Sequence, residues 1–369
     1  MITRQTVRWI VAALVLMCSL VHEVAAQEAP PFPVLAPSQE NGPAIDVWYG
    51  LYQTFGMIGS PIPMINVLGQ VVAPSGIAGL FYALNGSAER PLSIGPDGLR
   101  LVGPGDFNVE IDLTDLLDGF NTLELRAVDD EGHESTALVV VDYANGTVWP
   151  QDYIIDWSTV MNIQDAAQVL DGLWELSAAG VRPLKTGYDR LIALGGRMWE
   201  NYEATASITI LGIDPKAYEP MNKGAAVGLL MRWPGHADWN GERPRVGWWP
   251  HGAIGLLRWT GIKAAPVTSI QMFGDQKPPW VLQDKPRDIV LGATYIYKMR
   301  AQTLHGADGA VTGSHYRLKI WEKDQPEPTN WDLSVTEGTD DPQFGSLVLL
   351  SHFVDCIVGN VTVVALPSE

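Results

Sequence analysis

Residues 295–331, YIYKMRAQTLHGADGAVTGSHYRLKIWEKDQPEPTNW, read as two strands of alternating character joined by a glycine-rich turn and closed by an aromatic-proline segment. In the first strand Tyr295, Tyr297 and Met299 alternate with Ile296, Lys298 and Arg300. In the second, Tyr316, Leu318 and Ile320 alternate with Arg317, Lys319 and Trp321. A period of two puts each set on its own face of a sheet. One face is apolar, and the other is cationic and aromatic. Such a face suits a surface that reads saccharides, and it is equally what a solvated sheet face looks like.

Working outward, further strand patterns fall at residues 154–160, 172–178, 201–212, 225–233, 245–249, 253–260, 289–302, 314–322 and 345–366. Helical periodicity is nearly absent, apart from the short stretches IQDAAQVL and DPKAYEPM. That inventory predicts a large antiparallel sandwich or barrel over residues 147–369. On the N-terminal side, residues 46–146 carry shorter β-type runs (PMINVLGQVV, IAGLFYALNGS, FNVEIDL, NTLELRAVDDEGH, STALVVVDY), with turn signals at Asn85-Gly86 and Asp118-Gly119. A small β-sandwich is expected there. Residues 27–45, rich in proline and without periodicity, read as a linker.

The first 26 residues have the form of a secretory signal: Arg4 and Arg8, an apolar run from Trp9 to Val21, and small residues Val24-Ala25-Ala26 before Gln27. A secreted, periplasmic or cell-surface location follows. No later segment reaches the ~20 apolar residues needed to span a bilayer, so the processed chain is expected to have no integral membrane segment. Only Cys356 survives processing, which leaves stability to hydrophobic burial. The net charge of −18, with Lys and Arg concentrated after residue 150, excludes the basic field that nucleic-acid binding requires.

Residues 84–87 (LNGS), 105–110 (GDFNVE) and 117–133 (LDGFNTLELRAVDDEGH) give the first half a resemblance to bacterial immunoglobulin-like modules. The second half, through RMWENYEATASITI, GLLMRW, the opening strand pair and GSLVLLSHFVDCIVGNVTVVAL, resembles the concanavalin A-like jelly-roll family of lectins, laminin-G-type modules and glycan-cleaving enzymes. The resemblance implies an all-β chain in two sandwiches, glycan recognition on one curved sheet, and in many members a structural calcium near the final strand. Asp355 matches that position, and Asp156 is a second carboxylate taken with it as a candidate ligand. The family's Glu-x-Asp-x-x-Glu hydrolase strand is missing here.

Candidate chemistry concentrates in residues 229–259, LLMRWPGHADWNGERPRVGWWPHGAIGLLRW. Sugars stack their C–H faces on indoles and hydrogen-bond to planar donors, so Arg232, Trp233, Trp248, Trp249, His251 and Trp259 are the expected carbohydrate-binding residues. Tryptophan is also a common core residue, and two or three of the five indoles Trp233, Trp239, Trp248, Trp249 and Trp259 are expected to be packing. His236, Asp238, His251 and His352 lack metal-site spacing. Glu200 and Glu203 fall on opposite strand faces, which opposes a two-carboxylate glycosidase. A polysaccharide lyase using Tyr297, Arg300, His315 or His352 needs a base and an arginine in one site, and Tyr297 and Arg300 alternate apart. The expected partner is thus a polysaccharide or glycoconjugate. A lyase or glycosidase on the same scaffold, or an adhesion protein whose tryptophans are all core, are the alternatives.

Overall fold

The computed structural model describes residues 42–238, 243–274 and 280–369. The signal segment 1–26 and nearly all of the linker lie outside the described residues. The described residues belong to one compact unit and form an all-β chain of four sheets.

Strands from Ala44–Val47 to Glu134–Tyr143 build a three-stranded and a five-stranded sheet. Gly119–Asp129 shows why: Asn121, Leu123, Leu125, Ala127 and Asp129 are buried at every second position while their neighbours face outward, as a half-buried strand demands. The two sheets enclose their own core around Val67, Leu80, Phe107, Leu125 and Val139. Asn85 and Gly86 both take positive φ, 50° and 72°, the conformation for which an Asn-Gly pair is selected in tight turns.

The remaining strands form a seven-stranded and an eight-stranded sheet. The eight-stranded sheet contains the opening hairpin, Thr294–His305 paired with Val311–Glu322. Tyr295, Tyr297, Met299, Tyr316, Leu318 and Ile320 point into the space between the two sheets, where they meet Val227, Leu257, Trp259 and Leu349 of the other layer. The chain passes between layers at Phe353, which takes a φ of 54°. Ser346–His352 lies in the seven-stranded sheet and Val354–Ala365 in the eight-stranded one, so the apolar run 345–366 is two strands.

The cationic face of the hairpin is neutralised internally. Register places Lys298 opposite Lys319 and Arg300 opposite Arg317, and like charges facing each other repel. Glu327 sits 2.7 Å from both lysines, Glu203 accepts from Arg300, and Glu369 lies 3.1 Å from Arg317. Trp331 lies against the same cations, its ring 5.2 Å from Arg300 and 4.8 Å from Lys319. This face is covered by its own chain.

The outer face of the seven-stranded sheet is covered over part of its area by the first sandwich. Ile62 and Met64 pack there with Leu170, Leu230, Trp233 and Val348. At the edge of this seam Arg100 is buried: Nε donates to Asp171 at 2.7 Å and Nη1 lies 2.5 Å from Glu110. Burial opposes its charge, but Asp171 and Glu110 hold the guanidinium above its ordinary basicity. Arg245 closes the seam from the other side with both Asp112 oxygens at 2.9 and 3.0 Å.

Candidate functional site

The uncovered part of that outer face is an open groove of ≈ 280 Å³. Its floor comes from alternate positions of three adjacent strands: Ala226 of Ala225–Trp233, Ile254, Leu256 and Arg258 of Ala253–Ile262, and Leu350 and His352 of Ser346–His352. Loops complete it with Tyr188, Asp189, Asn222, Lys223, Trp248, Trp249 and His251.

The six residues expected to bind sugar divide between two places. Trp248, Trp249 and His251 line the groove. Trp249 is 48% exposed, and its ring stands 5.2 Å from that of Trp280, which is 38% exposed, at an interplanar angle of 37°. Trp248 is half-buried and tilted against Trp233 at 5.4 Å.

Arg232, Trp233 and Trp259 are buried. The two Arg-Trp pairs point in opposite senses. At 258–259 the alternation is regular: Arg258 is paired with Ala226 on the outer face, and Trp259 with Ala225 facing the inter-sheet core. At 232–233 the ladder has a register shift between Leu230 and Trp233, and Arg232 takes a φ of 53°. The irregularity turns Trp233 to the covered outer layer and drives Arg232 inward. There its guanidinium is bonded to Ser314, Thr303, Asn201 and the Glu200 carbonyl, with Asp341 at 3.9 Å.

Two histidines line the groove. Burial pushes the His251 imidazole down to about 4, so it is uncharged at neutral pH. His352 is held by Asp189, 2.7 Å from Nδ1, and by the Asn222 carbonyl, 3.1 Å from Nε2. With an acceptor at each nitrogen, the ring is clamped rather than offered to a substrate proton.

The residues of the enzymatic readings are not brought together. Tyr297 is buried between the sheets with its hydroxyl donating to the Val227 carbonyl at 3.3 Å, whereas Arg300 is paired with Glu203 on the far face. His315 is held by Glu369 and Ser334. Asp355 and Asp156 do not fit a calcium site: Asp355 accepts two 2.7 Å bonds from Arg182, and Asp156 Oδ1 accepts from Ser158 and Asn360. Among the described residues no three His, Cys, Asp or Glu side chains gather as a metal requires.

Sequence reading did not place Tyr188, Asp189, Asn222, Phe273 or Trp280 at the site. They arrive from loops and strand ends separated by tens of residues, and only Trp280, a large aromatic after two prolines, carries a local signal.

The chain matches no protein-family model and no curated protein. Its structure is similar to the exoplasmic/lumenal domain of VIP36 in a Ca2+/Man2-bound form, at 11% identity over 59% of this chain and 89% of that one, with a TM-score of 0.39. It is also similar to peanut lectin with a 9mer peptide (10% identity, 60% and 92% covered, TM-score 0.32) and to sheep galectin-11 with glycerol (9% identity, 49% and 99% covered, TM-score 0.24). No helix among the described residues is long and apolar enough to cross a membrane.

Proposed function

We propose that this chain is a secreted or cell-surface carbohydrate-binding protein. In this reading, an immunoglobulin-like sandwich (46–146) supports a concanavalin A-like jelly roll (147–369) that takes a polysaccharide or glycoconjugate in the groove around Trp249. The observation that carries the proposal is the exposed Trp249 and its neighbour Trp280 beside a groove with an apolar floor and polar donors. Exposed indoles keep a large apolar surface in water at a cost, and a sugar's C–H face is a partner that removes that cost. Arg258, Lys223 and the Trp248 region supply donors and walls of the kind that orient hydroxyls.

The test compares a loop tryptophan at the groove with a strand tryptophan in the core. Trp249→Ala is expected to weaken glycan binding by about tenfold with an unchanged thermal midpoint. Trp259→Ala, inside the inter-sheet core, is expected to cost ~3–5 kcal/mol of stability. A glycan array probed with the full chain finds the ligand, and reducing-end and double-bond assays on each hit test for hydrolysis or elimination. Binding that survives Trp249→Ala undiminished would overturn the assignment of the groove.

A further inference from the structure

We infer that the groove takes a sugar bearing a carboxylate and that Arg258 is the residue that reads it. The inference rests on the proposed carbohydrate-binding function and narrows it to a substrate class.

Arg258 is the arginine that lines the groove, and it differs from the ion-paired arginines of the chain in what surrounds it. Arg100, Arg182, Arg232, Arg245, Arg300 and Arg317 each have a carboxylate within 3.9 Å. Arg258 has no such partner among the described residues. Its guanidinium lies over the Phe273 ring at 5.1 Å and makes one hydrogen bond, from Nη2 to the Lys223 carbonyl at 3.0 Å. The carboxylates nearest in effect are already engaged, Asp189 by His352 and Asp284 by Gln271.

The guanidinium is half-buried, and burial works against its charge, yet an arginine does not release its proton in water at physiological pH. A desolvated cation facing an open groove is unfavourable until an anion reaches it. Its cross-strand neighbours are the small Ala226 and Ser269, so neither covers its flank. The exposed Lys223 adds a second positive charge at the same margin.

A planar guanidinium matches a carboxylate through two parallel N–H donors, and Trp249 offers a ring face in the same groove. Together they select a pyranose that carries an acidic group. The chain's charge of −18 opposes a densely charged polyanion over the rest of the surface, which favours a glycan whose carboxylates are isolated among neutral sugars.

The experiment titrates the full chain with two matched pairs at low ionic strength: a hexuronate-containing oligosaccharide and its carboxyl-reduced form, and sialyllactose and lactose. The two pairs separate a ring-borne uronate from a sialic acid. Expected is a preference of roughly tenfold or more for the acidic member of at least one pair. The preference should shrink with added salt, vanish in Arg258→Gln and be partly retained in Arg258→Lys.

Binding of the neutral members with equal affinity, still sensitive to Trp249→Ala, overturns the carboxylate inference and leaves the carbohydrate reading standing. Binding of no member, with an empty array, overturns both. If Arg258→Gln lowers acidic and neutral binding alike together with the thermal midpoint, the residue is packing and the inference fails.

Discussion

His251 and Arg100 show how a single buried charge, or its avoidance, constrains this molecule. The His251 imidazole is buried and its affinity for protons is pushed from 6.5 down to about 4. The unfolded chain therefore binds a proton that the folded chain refuses as pH falls through that window. The contribution is full above about 6.5 and is lost progressively toward 4, amounting to about 3 kcal/mol across the interval. Thermal midpoints measured from pH 7 to 4 should fall, and His251→Gln should flatten that part of the curve. Arg100 poses the opposite case, because its removal strands Asp171 and Glu110 in the seam. Arg100→Met is expected to cost ~3–5 kcal/mol in chemical denaturation, while replacing the exposed Arg182 should leave the transition nearly where it is. Residue types were legible from the sequence more readily than their directions. The repeated Arg-Trp pair drew attention to residues 229–259, but the shift before Trp233 reverses which member faces out, and a bulge leaves no mark in the alternation it interrupts.

At the scale of elements, the opening hairpin was readable because both strands are long, amphipathic and regular, and its buried set is the one expected from their alternation. Gln168–Asp171, Arg190–Leu194 and Ala265–Phe273 were not anticipated as strands. The first two are short and buried at every position, so they show no period at all. Residues 245–249 alternate without forming a strand, because Trp248 and Arg245 are spent on the groove wall and the seam. The hairpin's facing lysines give a direct test. Hydrogen bonds from Lys298 and then Lys319 hold the Glu327 carboxyl below its ordinary range. Its contribution is present above the unfolded carboxylate's value and lost as pH falls through the lower folded one. Glu327→Gln is expected to destabilise by no more than about 1 kcal/mol, since the carboxylate is largely exposed. It should also shift Trp331 fluorescence, because that ring shares the cations. An unchanged spectrum would mean that the segment is held by other contacts.

For the whole molecule, the smaller sandwich has a core of its own, the larger core takes in Trp48 and Leu68 of the first half, and the two share a buried ionic seam. The division at residue 146 is proposed to yield pieces that each fold, and the seam predicts a penalty. Residues 147–369 alone leave Asp171 without Arg100 and uncover Leu170, Leu230 and Trp233, so their unfolding midpoint should lie below that of the full chain. An equal midpoint would show that the seam adds nothing. Chelation by EDTA is expected to leave the full chain's midpoint unchanged, given that Asp355 is held by Arg182; a fall of several degrees would restore the calcium reading.

The crossing at Phe353 sends residues 346–365 through the interior of both sheets. Ser346–His352 lies between Arg190–Leu194 and Ala225–Trp233, and Val354–Ala365 lies between Gly180–Pro183 and Tyr202–Ile213. Every strand they join precedes them in sequence. A ribosome that has delivered the first 340 residues has thus delivered two half-sheets with a slot in each, and neither layer closes until the final segment emerges. Both layers of the larger sandwich thus wait on one stretch of about twenty residues for their completion.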